Sequence, residues 1–415
     1  MAKKEPNIRF KGFEGEWEES IMSAKFDFNT PHNSLSRDKL NAEDGDIRDI
    51  HYGDILIKYN AVVDAQADDI PHITNSSVSD YADSLLMDGD VVFADTAEDE
   101  TAGKAVEIQK ADGNNVVAGL HTIVARPKDY FSPNFLGHRF NSDSYHSQLV
   151  PLLQGIKVLS ISKAALADTT FSWPQKKDEQ QKIGEFFQQL DELIGAKEKE
   201  LEKLRQMKQA LLDKMFPSNE EIAPPIRFKG FTEPWERKRL GNLCKINPNE
   251  EPLMGQFYYI DLESVEKGVL KKQRLLTASD APSRAQRVLK KDDVLFQTVR
   301  PYQRNNYYFD KDSSRQWVAS TGYAVLRSKT YPYFLFTILE TETFNKEVIN
   351  RCTGTTYPAI TPSDIGKIEV AFCTFPEQQM IGDFFRSQDE AINSSKEEIA
   401  KLRTLKQACL QQMFA

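Results

Sequence analysis

The sequence predicts an α+β chain organised as an internal repeat: two mixed α/β domains, each opened by a short entry motif and each closed by a long helix. Three observations predict it. The entry motif IRFKGF at 8–13, with Trp17 four residues later, returns at 226–231 with Trp235, an offset of 218. EQQKIGEFF at 179–187 returns as EQQMIGDFF at 377–385, an offset of 198. KLRQMKQALLDKMF at 203–216 returns as KLRTLKQACLQQMF at 401–414, also at 198. The material between the landmarks is therefore 20 residues shorter in the second half and shares little sequence with the first. A constant frame holds two different contents.

In chain order the expected divisions are 1–178, a first domain with its entry motif; 179–216, a long helix; 217–225, a linker; 226–376, the second domain; and 377–415, the second long helix. Within the first domain, 52–60, 88–96, 119–127 and 156–162 read as strands, being short β-branched or aromatic runs bounded by turn residues. Residues 257–264, 292–301 and 321–328 read likewise in the second, with 331–350 as one helix. Gly-Asp or Asp-Asp before a β-branched run occurs in both, which suggests a shared fold. In the first long helix Ile183, Phe187, Leu190, Ile194, Lys197, Leu201, Leu204, Lys208, Leu211 and Met215 follow four-three spacing, the seam of a coiled coil. The second seam includes Phe385, Ile392, Ile399 and Leu402, with polar breaks at places matching the first. Asp178 with Gln181 is expected to cap the first helix, and Thr374 with Glu377 to form a capping box before the second. Pro217 stops the first helix, and the acidic, proline-ended EEIAPP at 220–225 reads as linker.

Length and composition allow two globular cores, with 415 residues, 40% hydrophobic and 28% charged. No apolar run approaches the roughly 20 residues that cross a bilayer, and MAKKEPNIRF has no apolar signal core, so a cytoplasmic protein is expected. Cys244, Cys352, Cys373 and Cys409 show no metal-binding spacing and read as buried thiols. His51, His72 and His121 are scattered rather than set at ligand spacing, so no metal is expected.

Net charge is -9, but it is unevenly divided: residues 1–178 carry 18 basic and 29 acidic groups, whereas 224–376 carry 23 and 17. Only the second domain has the balance expected of a phosphate-binding body. No phosphate loop, GxGxxG, HExxH, GxSxG or Asn-Pro-Pro-aromatic run is present, and the acidic AEDE at 97–100 reads as a solvated face, so intrinsic catalysis is not expected. TVRPYQRNNYY at 298–308 combines the side chains that read base edges, Arg for guanine and Asn or Gln for adenine, with aromatics; a solvated hairpin tip is the plainer alternative. From it and the hydroxyl-rich TGTTYPAIT at 353–361 come Thr298, Arg300, Tyr302, Gln303, Arg304, Asn305, Asn306, Thr355, Thr356 and Tyr357 as DNA-binding candidates. In the first domain KYN at 58–60 and QGIKVLSISK at 154–163 supply Lys58, Asn60, Lys157, Ser160 and Lys163.

With repeat, seams and loops assembled, the chain closely resembles specificity subunits of type I restriction-modification systems over essentially its whole length. The resemblance rests on RFKGF with its following Trp, EQQxIGxFF and KLRxxKQxxLxxMF, each present twice, and on YGDILI, VVAGLHTIVARP and GIKVLSISK. It implies two target-recognition domains, each reading half of a split site in double-stranded DNA, separated by two long antiparallel coiled-coil helices related by a pseudo-twofold. It further implies docking of two modification (methyltransferase) subunits and, through them, restriction (translocase/nuclease) subunits. S-adenosylmethionine, and ATP with magnesium, would then be held by those partners, with no cofactor in this chain. Phe187, Leu190, Ile194, Leu201, Leu204, Leu211, Phe385, Ile392, Ile399 and Leu402 are the expected partner-binding residues. A coiled-coil scaffold without DNA readout, and a single-chain DNA-modifying enzyme, are the rival readings.

Overall fold

Each entry arginine closes on the first turn of the long helix of its own repeat. Arg9 donates from Nε and Nη2 to the two carboxylate oxygens of Glu179 at 2.6 and 2.8 Å, and Arg227 does the same to Glu377 at the same distances. Both carboxylates are fully buried, so the planar fork of arginine is the group that can satisfy them. The computed structural model describes residues 5–43, 45–218, 221–248 and 251–414. Residues 219 and 220 of the expected linker lie outside them.

The chain divides into two compact units: residues up to Glu198 together with those from Glu397 onward, and Lys199–Lys396. Each unit thus holds one mixed domain, the start of one long helix and the end of the other. The helices are Lys177–Met215 and Phe375–Met413, each of 39 residues.

In the first unit they run antiparallel, with Lys197 facing Glu398 at 3.1 Å, Arg403 bonded to Glu198, Lys406 paired with Asp191, and Phe187 stacked on Phe414. In the second unit Lys208 meets Asp389 at 2.6 Å while Phe216 packs on Phe385, again antiparallel. Lys208 and Lys406, polar breaks in the two seams, are therefore equivalent ion pairs across the helices, each partly buried. A misregistered pairing would strand a charge in an apolar seam, which makes these pairs register markers.

The terminal phenylalanines complete the domain cores. Phe414 packs against Trp17, Phe135 and Phe187 in the first unit; Phe216 packs against Trp235, Phe334 and Phe385 in the second. Ile8 N–H donates to Gln412 O at 2.9 Å, and Ile226 N–H to Lys214 O at 2.9 Å.

The two mixed domains each carry a sheet of the same plan. In the first, strands Phe26–Asp27, Thr122–Pro127, Val91–Ala94, Ala105–Gln109 and Val62–Asp64 lie side by side in that order; in the second, Cys244–Ile246, Tyr323–Ser328, Asp293–Gln297 and Tyr307–Tyr308 repeat the first four places. A bidentate pair marks the same corner of each: Arg126 on Asp90, with bonds of 2.9 and 2.7 Å, and Arg327 on Asp293, with bonds of 2.8 and 2.7 Å. A second sheet in each contains a parallel pair, Val116–Ala118 beside Arg48–Ile50 and Gln316–Ser320 beside Gln256–Ile260.

Several local expectations change. Residues 52–57 form a helix, Tyr52–Ile57, because His51 caps it by accepting Gly53 N–H at 3.2 Å and buried Asp54 is held by Arg37. Of 156–162 only Leu159–Ser160 is strand. The helix expected over 331–350 is two, Pro332–Glu340 and Glu342–Asn350, broken at Thr341, whose hydroxyl caps the second. The first long helix begins at Lys177, which puts Asp178 inside its first turn rather than at the cap, and Glu377 serves Arg227 instead of closing a capping box.

Glu377→Gln leaves Arg227 facing a neutral amide at a buried site, and is expected to destabilise the second unit by about 3 to 5 kcal/mol in urea unfolding. Combining it with Arg227→Met should cost less than the two single changes together.

Candidate nucleic-acid interface

In the second unit the strand Asp293–Gln297 runs into a loop whose shape is set by Gln297, a buried amide that sequence reasoning passed over. Its Nε2 donates to Val299 O at 2.7 Å and Gln303 Oε1 at 2.8 Å, its Oε1 accepts Asn305 N–H at 3.2 Å, and its own N–H donates to Asn306 Oδ1 at 3.0 Å. This bracing holds Arg300 and Arg304 in the left-handed region, at φ 53° and 54°, on either side of the turn Pro301–Gln303. Non-glycine residues adopt that conformation at a cost that the surrounding bonds must offset.

The loop borders a cleft of about 930 Å³ whose lining includes Arg300, Gln303, Asn305 and Tyr357 together with Lys271 and Arg284. The Arg300 guanidinium lies 4.3 Å over the Tyr357 ring, and its backbone N–H donates to Pro358 O at 2.8 Å. The stack fixes the plane of the guanidinium, which is what a bidentate contact to guanine needs. Tyr357 is carried by a loop at 353–359, pinched shut by reciprocal Thr353–Ala359 backbone bonds of 2.9 Å and turned at Gly354, φ 89°. Thr355 and Thr356 are exposed on the same loop, and Tyr302 is exposed at 53%. Lys271, Lys272 and Arg284 come from stretches far from 298–308 in sequence, so no local motif announced them.

The structure therefore gathers Arg300, Gln303, Asn305 and Tyr357, and removes others from the surface. Thr298 is buried, its hydroxyl donating to Gly322 O at 2.8 Å, and Asn306 is buried against Gln297. Both are corrected to structural roles: Asn306 satisfies the buried Gln297 N–H, and Thr298 adds a second bond to an oxygen that already accepts its own backbone N–H. Arg304 is ion-paired with Glu342.

In the first unit Ser160 lies in the short pairing of Leu159–Ser160 with Thr96–Ala97, Lys157 is exposed at the tip of the loop 154–160, and Lys163 donates to Phe28 O at 3.3 Å. Lys58 is engaged by Asp69 at 2.8 Å, and Asn60 is exposed beyond the helix Tyr52–Ile57. The seam residues assigned to a partner are covered by the chain itself: Phe187, Leu190, Ile194, Leu201, Phe385, Ile392 and Ile399 are buried, and Leu204, Leu211 and Leu402 half-buried. The physical reason is that an apolar seam is covered first by the antiparallel helix of its own chain. Leu193, Met207, Phe375, Met380 and Leu405 are large apolar residues left exposed on the two helices, and of these Met207 and Leu405 occupy equivalent positions.

Burial pushes the Cys244 thiol up to about 12 and raises Cys352, Cys373 and Cys409, so none is poised as a thiolate. Among the described residues no group of three or more His, Cys, Asp or Glu is placed to hold a metal, and no helix is long and apolar enough to cross a membrane.

Comparison with known proteins gives a consistent picture. The family model described as Type I restriction modification DNA specificity domain matches residues 40–206 and again 232–404. The specificity subunit of the HindI type I restriction enzyme of Haemophilus influenzae is 27% identical over 141 residues, 32% of this chain and 30% of that protein, so the chain matches under a third of that relative's length. The crystal structure of a type I restriction-modification S subunit from M. genitalium superposes with a TM-score of 0.63 at 14% identity, covering 99% of both chains. A chain from a structure of type I R-M complex assembly and conformational transition gives 0.51 at 17% identity, covering 95% of this chain and 96% of that one. At these identities the likeness shows the fold.

Arg300→Ala is expected to weaken DNA binding by about 1 to 3 kcal/mol and to relax one base position, whereas Lys271→Ala and Lys272→Ala weaken all sequences alike and flatten the salt dependence. Arg304→Ala, losing a half-exposed pair with Glu342, should change stability by under about 1 kcal/mol. Binding titrations across salt concentration and base substitution separate the three outcomes.

Proposed function

The chain belongs to the type I restriction modification DNA specificity family, and we propose that it is a non-catalytic reader that recognises a split DNA target, one block through each mixed domain, and docks modification subunits along its long helices. The observation that carries this is the duplication itself, with the family model matching once in each half and ending at equivalent residues, 206 and 404, and both domains built on one sheet plan. Two related readers on one frame suit two short blocks separated by an unread spacer of fixed length. The Arg300 cleft supplies a stacked arginine, amides and flanking cations, the chemistry that reads base edges and holds phosphates. Outward apolar positions such as Met207 and Leu405, rather than the covered seam, fit the docking role. S-adenosylmethionine and ATP with magnesium would enter with the partner subunits, and restriction subunits through them.

The methylated motif in DNA from cells carrying this chain and its modification partner tests the reading. Two blocks of about three to five base pairs are expected, and inserting two or three bases into the spacer should abolish methylation. A continuous motif, or one insensitive to spacer length, would overturn it.

A further inference from the structure

The first domain carries no counterpart of Arg300, yet the sheet plan fixes where its reading surface must lie. Corresponding backbone bonds identify the positions. Asp95 N–H donates to His121 O at 3.0 Å as Thr298 N–H donates to Gly322 O at 2.9 Å. Ile161 N–H donates to Asp95 O at 2.8 Å as Ile360 N–H donates to Thr298 O at 3.0 Å. Gln154 and Ser160 exchange backbone bonds as Thr353 and Ala359 do, with Gly155 turned to φ 128° where Gly354 is at 89°. The parallel pairing sets Ile50 opposite Ala118 as it sets Ile260 opposite Ala319. Hence Leu262, Val299, Gly322 and Tyr357 of the second cleft answer to Tyr52, Thr96, His121 and Val158 in the first domain.

Those four places form one ledge. The rings of Tyr52 and His121 meet edge to face at 5.3 Å, and His121 Nδ1 lies 3.3 Å from Asp95 and 3.4 Å from the Thr96 hydroxyl. Thr96 pairs in turn with Ser160, at the base of the loop that bears Val158. His121 is half exposed and held at φ 56°, and among the described residues its Nε2 makes no hydrogen bond within the chain. Beside it the loop tip presents Ile156, 98% exposed, and Val158, 51% exposed, on either side of Lys157. An isoleucine so bare at the tip of a hydrogen-bonded loop gains nothing for folding. Ala97 stands in the place of Arg300, and exposed Glu98, Asp99 and Glu100 follow it, so phosphate attraction cannot drive binding here.

We propose that the first domain reads its block of the DNA target through this ledge: His121 Nε2 against a base edge, the Thr96 hydroxyl as an acceptor because it donates its own proton to Asp95 at 2.6 Å, and Ile156 and Val158 in apolar contact beside them. This rests on the DNA-reading function proposed above and goes beyond it by assigning a surface, and a neutral chemistry, to the half of the chain whose charge argues against DNA.

The test compares His121→Ala and Ile156→Asp with Arg300→Ala in the full chain with its modification partner, read by the methylated motif. Both first-domain variants are expected to relax or lose one position in one block while the other block stays intact, and Arg300→Ala to affect the opposite block. Binding of the cognate duplex by the His121 variant should fall about tenfold, as for one lost base contact. An unchanged motif in both variants, or a change in the same block that Arg300→Ala alters, would overturn the assignment. Unchanged reading at the remaining positions of the first block excludes misfolding of that domain as the cause of a loss. If the unaltered chain itself yields no split motif, the proposed function fails and not this assignment alone.

Discussion

The buried arginine–glutamate fork at the root of each long helix is the constraint from which the rest of the fold follows. Glu179 and Glu377 sit in the first helical turn, where the aligned backbone dipoles favour a carboxylate, yet both are sealed from water and need a charged partner. Arg9 and Arg227 come from entry motifs about 150 to 170 residues earlier in the chain, so pairing fixes where each domain's chain begins relative to where it ends. Everything between can change provided that it returns to the same helix start. That is why the repeat is strict at 8–13 and 179–187 and loose in between.

A second consequence concerns the far ends of the helices. Each domain core takes its last aromatic from the other repeat's helix, Phe414 in the first unit and Phe216 in the second, and each entry segment donates the equivalent backbone hydrogen bond to a carbonyl of that helix end. Neither domain has a complete core within its own continuous stretch of sequence. The helices are thus parts of the domain interiors as well as the connection between them, and the Lys208–Asp389 and Lys406–Asp191 pairs hold the register that delivers each phenylalanine to its core.

Much of this frame was legible in the sequence because it is written twice: helix positions and the polar breaks in the seams follow from repeated side chains, while antiparallel pairing is what the family resemblance implied. What was not legible depends on neighbours distant in sequence. YGDILI has the composition of a strand, and only the burial of Asp54 against Arg37 and the cap from His51 make it helical. Gln297 reads as one polar residue among many until the fold closes the loop over it. Net charge is likewise modified by the fold. Asp49, Asp54, Asp90 and Glu107 are buried, all but Asp49 paired with arginine or bonded to backbone N–H groups, so these four of the 29 acidic residues in 1–178 project little field toward a ligand.

The difference in length between the two contents is also spent in a particular place. The offset between equivalent residues falls from 218 at Arg9 and Arg227 to 210 at Ile50 and Ile260, then to 203 at Asp90 and Asp293. It is 201 at Arg126 and Arg327, 199 at Gln154 and Thr353, and 198 at the helix starts. Most of the shortening therefore precedes the strand that begins at Val91 or Asp293, in the connections leading to the central sheet, while the loops that follow keep nearly the same spacing. The loops then differ in chemistry at fixed positions: Ala97 for Arg300, His121 for Gly322, Val158 for Tyr357. Substitution on a retained backbone leaves each loop anchored to the same strands, so a change of loop side chains does not disturb the fork and the phenylalanine that hold the domain to its helices.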